Sequence, residues 1–194
     1  MLKRNNLKSV LLALAAICGL TTAPAHAAFL SLDLSDTDAK VGDVVTLDLV
    51  LHNPFDSVTD GLLYGFGFSM DFDNQGLSLG QATMGADWED VSALYAQTDL
   101  AGLSMFGVPD MGQTSLLLAS FELTLNKAGN FVLDVFSDSN LPGEQGLFYL
   151  DQSGAPVSLL LDASTSLNVS AVSEPGALAL FTLGLMLAAR RRFN

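Results

Sequence analysis

The sequence predicts an all-β fold, a single β-sandwich, for the central part of the chain. Two stretches carry this prediction, because apolar and polar residues alternate over 44–51 and 62–72, as in strands with one buried face. Clusters of Gly, Asn, Asp and Pro separate seven or eight strand-like segments, and these residues favour turns. No long amphipathic helical pattern interrupts the segments. Short strands joined by frequent turns are typical of a β-sandwich.

The first predicted strand, 29–34, alternates partly and is followed by a polar turn over 36–43. The second, 44–51, is rich in β-branched residues and ends at Asn53-Pro54. The third, 62–72, has glycines on one face, which indicates a close backbone approach or a bulge. Its other face is expected to be buried and carries Tyr64, Phe66, Phe68, Met70 and Phe72.

Beyond a polar turn at 71–76, the pattern is less regular. Asp87–Asp90 is suited to cap a short helix that runs through Tyr95, and the glycines and proline between 102 and 112 predict a long loop. A strand over 114–125 follows, with an inward face of Leu117, Ala119, Phe121, Leu123 and Leu125. A turn at 127–130 leads to a returning strand, 131–136, and the last predicted strands are 147–150, 159–161 and 165–169.

Residues 1–27 have the pattern of a secretory signal peptide. A basic start with Lys3, Arg4 and Lys8 precedes a short apolar run, and Ala25-His26-Ala27 fits signal peptidase, with cleavage before Ala28. A first transmembrane helix is the alternative, but the apolar run is short and a cleavage site follows it. Cleavage would also remove Cys18, the only cysteine, so the mature chain would have no disulfide.

The predicted mature domain, 28–171, is strongly acidic. From residue 28 to residue 172 there are 20 Asp and Glu residues but only two lysines, so the net charge is near −18. Nucleic acids and anionic lipids bind basic patches, so this charge argues against both as partners. A high negative charge also keeps a secreted protein soluble, and it is compatible with divalent cations.

The last segment, 172–194, has three parts in a fixed order. Ser173-Glu174-Pro175 precedes an uncharged apolar run, 176–189, and Arg190, Arg191 and Arg192 follow. As a helix the run would be about 21 Å long, which by length alone favours a buried core helix. However, the run has no polar face, and arginines next to a membrane segment are retained on the cytoplasmic side. The pattern therefore favours a C-terminal hydrophobic helix that enters a membrane.

This tail resembles the PEP-CTERM sorting signal of Gram-negative bacteria that make exopolysaccharide. Glu174 and Pro175 match the last two residues of the family's Pro-Glu-Pro motif, and Ser173 stands where the first proline is usual. The resemblance implies recognition and processing by exosortase, a membrane-embedded cysteine transpeptidase. A glycosylphosphatidylinositol signal also ends in an apolar tail, but the terminal arginines argue against it.

The central domain resembles a cohesin module. Three features carry the resemblance: Val41-Gly42-Asp43 before an alternating strand, the aromatic strand over 65–73, and the apolar strand over 117–123 followed by Ala128-Gly129. The resemblance implies a jelly-roll β-sandwich that binds a protein, as cohesins of cellulosome scaffolds bind dockerins. It assigns no interface residue in this sequence.

Few residue patterns indicate catalysis. His52 is the only histidine after the signal peptide, and a lone histidine at a strand end is typical of a surface turn. Asp71, Asp73 and Asn74 offer hard oxygen ligands in a tight turn, which predicts a calcium site, although Gln75 and Ala82 break the EF-hand pattern. Solvated turn carboxylates are the plainer interpretation of the same residues. A catalytic carboxylate pair is compatible with the composition.

The residue patterns predict a secreted, non-enzymatic protein, and the resemblance of the tail implies export across the inner membrane of a Gram-negative bacterium. Signal peptidase and exosortase would process it, and it would reside at the cell surface or in the extracellular matrix. Its β-sandwich would bind a protein or a polysaccharide, and its C-terminal helix would contact the membrane transiently or permanently. A surface glycan hydrolase with paired carboxylates is the alternative.

Overall fold

A computed structural model describes residues 27–58, 60–141 and 143–172, which form two β-sheets packed face to face. The strands, in chain order, are β1 (Phe29–Leu34), β2 (Asp38–Lys40), β3 (Val44–His52), β4 (Leu62–Phe72), β5 (Leu77–Leu79), β6 (Thr83–Met84), β7 (Glu89–Asp90), β8 (Leu100–Pro109), β9 (Ser115–Leu125), β10 (Gly129–Phe136), β11 (Gly146–Leu150), β12 (Pro156–Leu159) and β13 (Ala163–Ser170). The predicted all-β sandwich is confirmed.

The first sheet has the order β1-β3-β9-β5, and β6 also pairs with β9. All its pairings are antiparallel. Leu47, Leu49 and Leu51 of β3 are fully buried, while Thr46 and Asp48 lie on the outer side, as the alternation in the sequence predicts.

The second sheet has the order β12-β11-β4-β10-β13-β2. The long strand β4 also pairs with β8, and β8 pairs with β7. The pairing of β13 with β2 is parallel. Because β1 belongs to the first sheet and β2 to the second, the chain crosses between the sheets after β1.

One continuous apolar core lies between the sheets. Phe66, Phe68 and Phe121, which the sequence predicts as inward, are at most 5% exposed. Phe66 stacks on Phe68 with ring centroids 5.9 Å apart and meets Trp88 edge-on at 5.2 Å, both distances typical of favourable aromatic pairs.

The predicted inward face of β9 is wrong at its start. Leu117 is 42% exposed, and the next residue, Leu118, is fully buried. The register passes from Leu49 opposite Ala119 to Val50 opposite Leu117, so Leu118 is an extra residue in β9. Such a bulge shifts the alternation by one residue and turns the following side chains to the other face.

The predicted inward face of β4 is wrong at Tyr64 for the same reason. Leu63 is fully buried, whereas Tyr64 is only half-buried. The pairing of β4 with β8 is irregular between Leu63 and Gly65, and this irregularity reverses the alternation at the start of the strand.

Two local assignments between 87 and 112 are also wrong. The predicted long loop is largely the strand β8. Gly102 is not a turn residue there, because it lies against the ring of Phe66, where a side chain would not fit. The predicted helix over 87–95 is the short strand β7 followed by a single 3-10 turn, Ser92–Leu94.

Strand β10 does not return beside β9. It begins at Gly129, inside the predicted turn, and pairs with β4 and β13 in the second sheet. The strand predicted over 159–161 is instead β12, which ends at Leu159. The short strands β2, β5, β6 and β7, together with β8, raise the number of strands above the predicted seven or eight.

The predicted signal helix and C-terminal helix lie outside the described residues, as do Ala25, the motif Ser173-Glu174-Pro175 and Arg190–Arg192. Among the residues that the structure describes, no helix is long and apolar enough to cross a membrane. The described chain begins at the exposed Ala27, and Ala28 is already buried in the sandwich.

Candidate functional site

Strand β8 carries an unusually large bulge. Its register with β4 pairs Leu103 with Gly65 and Val108 with Leu63, so four residues, 104–107, lie opposite the single residue Tyr64. Gly107 has a φ of 70°, a conformation that favours glycine. A side chain there would also crowd Leu62 and the ring of Tyr64, because its Cβ would lie 3.1 Å from each. The extra residues therefore project away from the sheet.

Large apolar side chains lie at and beside this bulge and face solvent. Met105 is 69% exposed, Phe106 is 84% exposed, and Met111 in the following loop is 80% exposed; Leu103 is partly exposed beside them. We call Leu103, Met105, Phe106 and Met111 the apolar tip. A single exposed apolar residue is ordinary, but neighbouring ones mark an interaction site.

The loop that carries Met111 is held by local hydrogen bonds. The Gly112 N–H donates to Asp110 Oδ1 at 3.0 Å, and the Gln113 side-chain amide donates to the Pro109 carbonyl at 2.8 Å. The Met111 N–H donates to Gln113 Oε1 at 2.7 Å. The exposed methionine is thus presented by an ordered loop, which lowers the entropy lost on binding.

An open cleft of about 430 Å³ lies between the bulge and this loop, within the size range of ligand-binding clefts. Its lining combines apolar groups with one carboxylate: Asp87, Ser104, Gly107, Val108, Pro109, Met111, Gly112, Gln113 and Leu116. Asp110 lies next to it and is exposed. The walls of the cleft therefore combine apolar groups with the polar side chains of Ser104 and Gln113, and its margin is acidic.

The base of the apolar tip is rigidly packed. Gly102 of β8 lies against the ring of Phe66; a Cβ on Gly102 would approach that ring to 2.4 Å. Trp88 packs edge-on against Phe66, and its indole N–H donates to the Leu117 carbonyl at 3.2 Å. The tip therefore stands on the aromatic core that joins the two sheets.

The residues of the predicted calcium site are only partly brought together. Asp71 lies opposite Asp134 in the β4–β10 pairing, and both line an open groove of about 470 Å³ with Asp162. Asp73 instead accepts the Gln75 N–H at 3.0 Å in the turn that also contains Asn74. Within the described ranges, no group of three His, Cys, Asp or Glu residues could hold a metal ion. Calcium binding stays a prediction.

His52 lies at the end of β3 on the outer face of the first sheet. Its Nε2 is 2.8 Å from the Ser31 hydroxyl, and its ring stacks on Phe29 with centroids 4.6 Å apart. These contacts give the histidine a packing role at the β1–β3 pair, at the strand end where the sequence places it.

Two ionisable groups near the same end of the sandwich have shifted pKa values. Burial raises the pKa of Tyr149, whose hydroxyl donates to the Pro54 carbonyl at 2.6 Å. The Ser153 hydroxyl, together with the Ala155 and Ser153 amides, lowers the pKa of Asp151. The Tyr149 hydrogen bond holds the chain at Pro54, and the hydrogen bonds of Asp151 hold the turn at 151–155.

The apolar tip was not predicted, because its residues lie in a segment whose glycines and proline indicate a loop. A signal was present: Leu103-Ser104-Met105-Phe106 is an apolar cluster between two glycines. An apolar cluster in a segment that otherwise looks like a surface loop is a candidate contact site.

No protein-family model matches the sequence, and no curated protein matches it. Solved structures do resemble the fold. The cohesin module of a family 33 glycoside hydrolase from Clostridium perfringens aligns with a TM-score of 0.52 and 12% identity, covering 75% of this chain and 100% of that module. The seventh ScaB type I cohesin from Pseudobacteroides cellulosolvens aligns with a TM-score of 0.51 and 15% identity, covering 76% and 96%. The fold is a cohesin-like β-sandwich, as the sequence resemblance predicts.

Proposed function

We propose that this chain is an exported, non-enzymatic surface protein whose β-sandwich binds a partner protein through the apolar tip. The observation that carries the proposal is the exposure of Met105, Phe106 and Met111 on an ordered bulge and loop. Burying such side chains at an interface contributes roughly 1.5–3 kcal/mol each, before the costs of association. Methionine and aromatic residues are also enriched in protein interfaces.

The cohesin-like fold agrees with a binding role, but a shared fold leaves function to the site. The chemistry of the tip favours a protein over a polysaccharide as the ligand. Methionine side chains adapt to irregular apolar surfaces, whereas only one of the four side chains of the tip, Phe106, offers an aromatic ring. An apolar protein surface is therefore the better match.

Export and sorting complete the proposal. Signal peptidase would release the chain before Ala28, and exosortase would process it near Glu174-Pro175, leaving the domain at the cell surface or in the exopolysaccharide matrix. The described sandwich supports this division, since β1 begins at Phe29 and β13 ends at Ser170, which leaves both signals outside the strands.

The sorting proposal is tested by the mass of the surface-exposed chain. Changing Glu174-Pro175 to Ala-Ala is expected to leave a larger, membrane-bound form, while changing Arg190, Arg191 and Arg192 to Ala weakens membrane retention whether or not the tail is processed. Finding Phe193-Asn194 on the surface-exposed form of the natural chain would contradict processing and leave a simple anchor.

The binding proposal is tested with paired substitutions of exposed residues. Met105→Ser with Phe106→Ser removes two anchors from the tip, while Val132→Ser changes a half-exposed apolar residue of β10. Photo-crosslinking in intact cells, from a position beside the tip, is expected to give a protein adduct that only the tip variant loses. Equal adducts in both variants would refute the tip as the binding site. Retention on immobilised exopolysaccharide that depends on Phe106 would show a polysaccharide ligand instead.

A surface glycan hydrolase is the second candidate, and one observation favours it. Asp71 and Asp134 lie directly opposite each other in paired strands, where Cβ atoms are about 4.5–5.5 Å apart. Two carboxyl groups at a spacing of about 5–9.5 Å are the requirement for glycoside hydrolysis. Release of sugars from the exopolysaccharide by the natural chain, and its loss with Asp134→Asn, would support this candidate against the binding proposal.

A further inference from the structure

The two ends of the sandwich differ in whether they carry lysine. The apolar tip lies near the end formed by the connections 53–61 and 110–114, because β3 ends there, β4 and β9 begin there, and β8 runs toward it. The opposite end contains both lysines of the described residues. Lys40 pairs with Ser170 at the end of β13, and Lys127 follows the end of β9.

Only acidic groups carry formal charge around the apolar tip. Asp87 lines the cleft, Asp110 begins the loop that presents Met111, and Glu89 is paired with Leu103. All three carboxylates are exposed. Farther out, the connections at this end add Asp56, Asp60 and Asp151.

We infer that the partner segment that binds the apolar tip is a cationic amphipathic segment of another protein, with apolar side chains in the cleft and Lys or Arg against Asp87, Glu89 and Asp110. This inference rests on the proposed function and names the chemistry of the partner. Oppositely charged rims steer association and select partners, while the buried apolar contacts provide affinity.

A second copy of this chain fits the tip poorly. Each domain has a net charge near −18, and a symmetric contact between two tips would place the same carboxylates against each other. Like charges opposed across an interface cost several kcal/mol. The charge thus selects a heterologous partner over self-association.

The position of the tip also determines how the partner approaches. The described chain leaves the sandwich after Ser170, beside Lys40, at the end away from the tip. A partner bound at the tip therefore lies at the end of the sandwich opposite to residues 171 and 172.

The test measures binding of three fluorescent amphipathic peptides to the exported chain as cells produce it. The peptides share a leucine face and carry lysine, glutamine or glutamate on the polar face. At about 50 mM salt the lysine peptide is expected to bind at least tenfold more tightly than the glutamine peptide, and the difference should shrink at about 500 mM salt as the charges are screened. The glutamate peptide is expected to bind most weakly.

Substitutions separate charge from apolar anchoring. Asp87→Asn with Asp110→Asn is expected to reduce the advantage of the lysine peptide over the glutamine peptide several-fold. Asparagine at 110 retains an oxygen for the Gly112 N–H, so the loop keeps its conformation. Met105→Ser with Phe106→Ser should weaken the lysine peptide at least tenfold, and Val132→Ser should not.

Four outcomes would overturn the inference. Equal binding of the lysine and glutamine peptides, lost with Met105→Ser and Phe106→Ser, would leave the proposed function standing with a neutral partner. Lysine-peptide binding that survives these substitutions would show general attraction to an acidic protein. A dimer in light scattering that requires Phe106 would show that the occupant is a second copy. If no peptide binds while photo-crosslinks still depend on Phe106, the proposed function stands and the cationic segment is wrong.

Discussion

Leu117 and Leu118 of β9 are adjacent in sequence and lie on opposite faces, so truncating each in turn measures the bulge directly. Leu118 is fully buried and Leu117 is 42% exposed. The alternation in the sequence predicts the reverse. Leu118→Ala and Leu117→Ala remove the same atoms from neighbouring positions, and each variant is the matched control for the other.

The expected magnitudes follow from burial. Leu118→Ala opens a cavity between the sheets and should lower the free energy of unfolding by about 2–5 kcal/mol. Leu117→Ala removes a half-exposed side chain and should cost about 1 kcal/mol or less. The Leu117 carbonyl, which accepts the Trp88 indole N–H, is unaffected by the side-chain change.

Urea unfolding at one pH, followed by tryptophan fluorescence, gives both free energies. Trp88 is the only tryptophan and lies next to the bulge, so it reports the transition. Equal slopes against urea would show that the variants differ in stability and not in the extent of unfolding. If Leu117→Ala costs as much as Leu118→Ala, or more, the bulge is misplaced and the inward face is the one that strict alternation predicts.

Three further predictions concern ionisable groups. Tyr149→Phe is expected to cost about 1–3 kcal/mol, because the buried Pro54 carbonyl loses its donor. Since burial raises the pKa of Tyr149, the neutral tyrosine stabilises the fold fully below about pH 10, and this stabilisation is lost as pH rises further. Urea unfolding across this range should show that the free energy of unfolding declines less steeply with pH in the variant. The pKa of Asp151 is lowered by the Ser153 hydroxyl and nearby amides. The ionised carboxylate therefore stabilises the fold above about pH 4, and this stabilisation is lost on acidification. Asp151→Ala should make the melting temperature fall less steeply as the pH is lowered. If calcium binds, millimolar calcium should raise the melting temperature relative to chelator, and Asp71→Asn with Asp73→Asn should reduce the difference; identical melting curves would exclude the site.

The strands were predictable where the alternation is uninterrupted. The run from Val45 to Leu51 places every second residue inward, and Phe66 and Phe68 follow the same rule in β4. Period-two alternation is a local property, because neighbouring side chains of a strand point to opposite faces. The sequence therefore identified the β class, the main strands and much of the aromatic core.

Pairing between distant segments was not predictable in the same way. Strand β10 follows β9 closely, which suggests a hairpin, yet it pairs with β4 and β13 in the other sheet. The short strands depend entirely on their neighbours, since two or three residues carry no periodicity of their own. Asp134 and Asp162 likewise meet Asp71 only through this pairing, so the groove they share has no signature in the sequence.

The failures of the alternation pattern coincide with the candidate site. The bulge opposite Tyr64 breaks the face of β4, and the same irregularity projects Met105 and Phe106 from β8. The bulge at Leu118 lies beside the Trp88 contact that supports the base of the tip. Extra residues in a ladder lose hydrogen bonds and regular packing, and bulges are enriched where they re-aim side chains for function. Exposed apolar residues on such a bulge also oppose solubility. The carboxylates of the domain favour solubility, yet the bulge and its exposed apolar residues occur together at one end of the sandwich. That end is therefore expected to be used for binding.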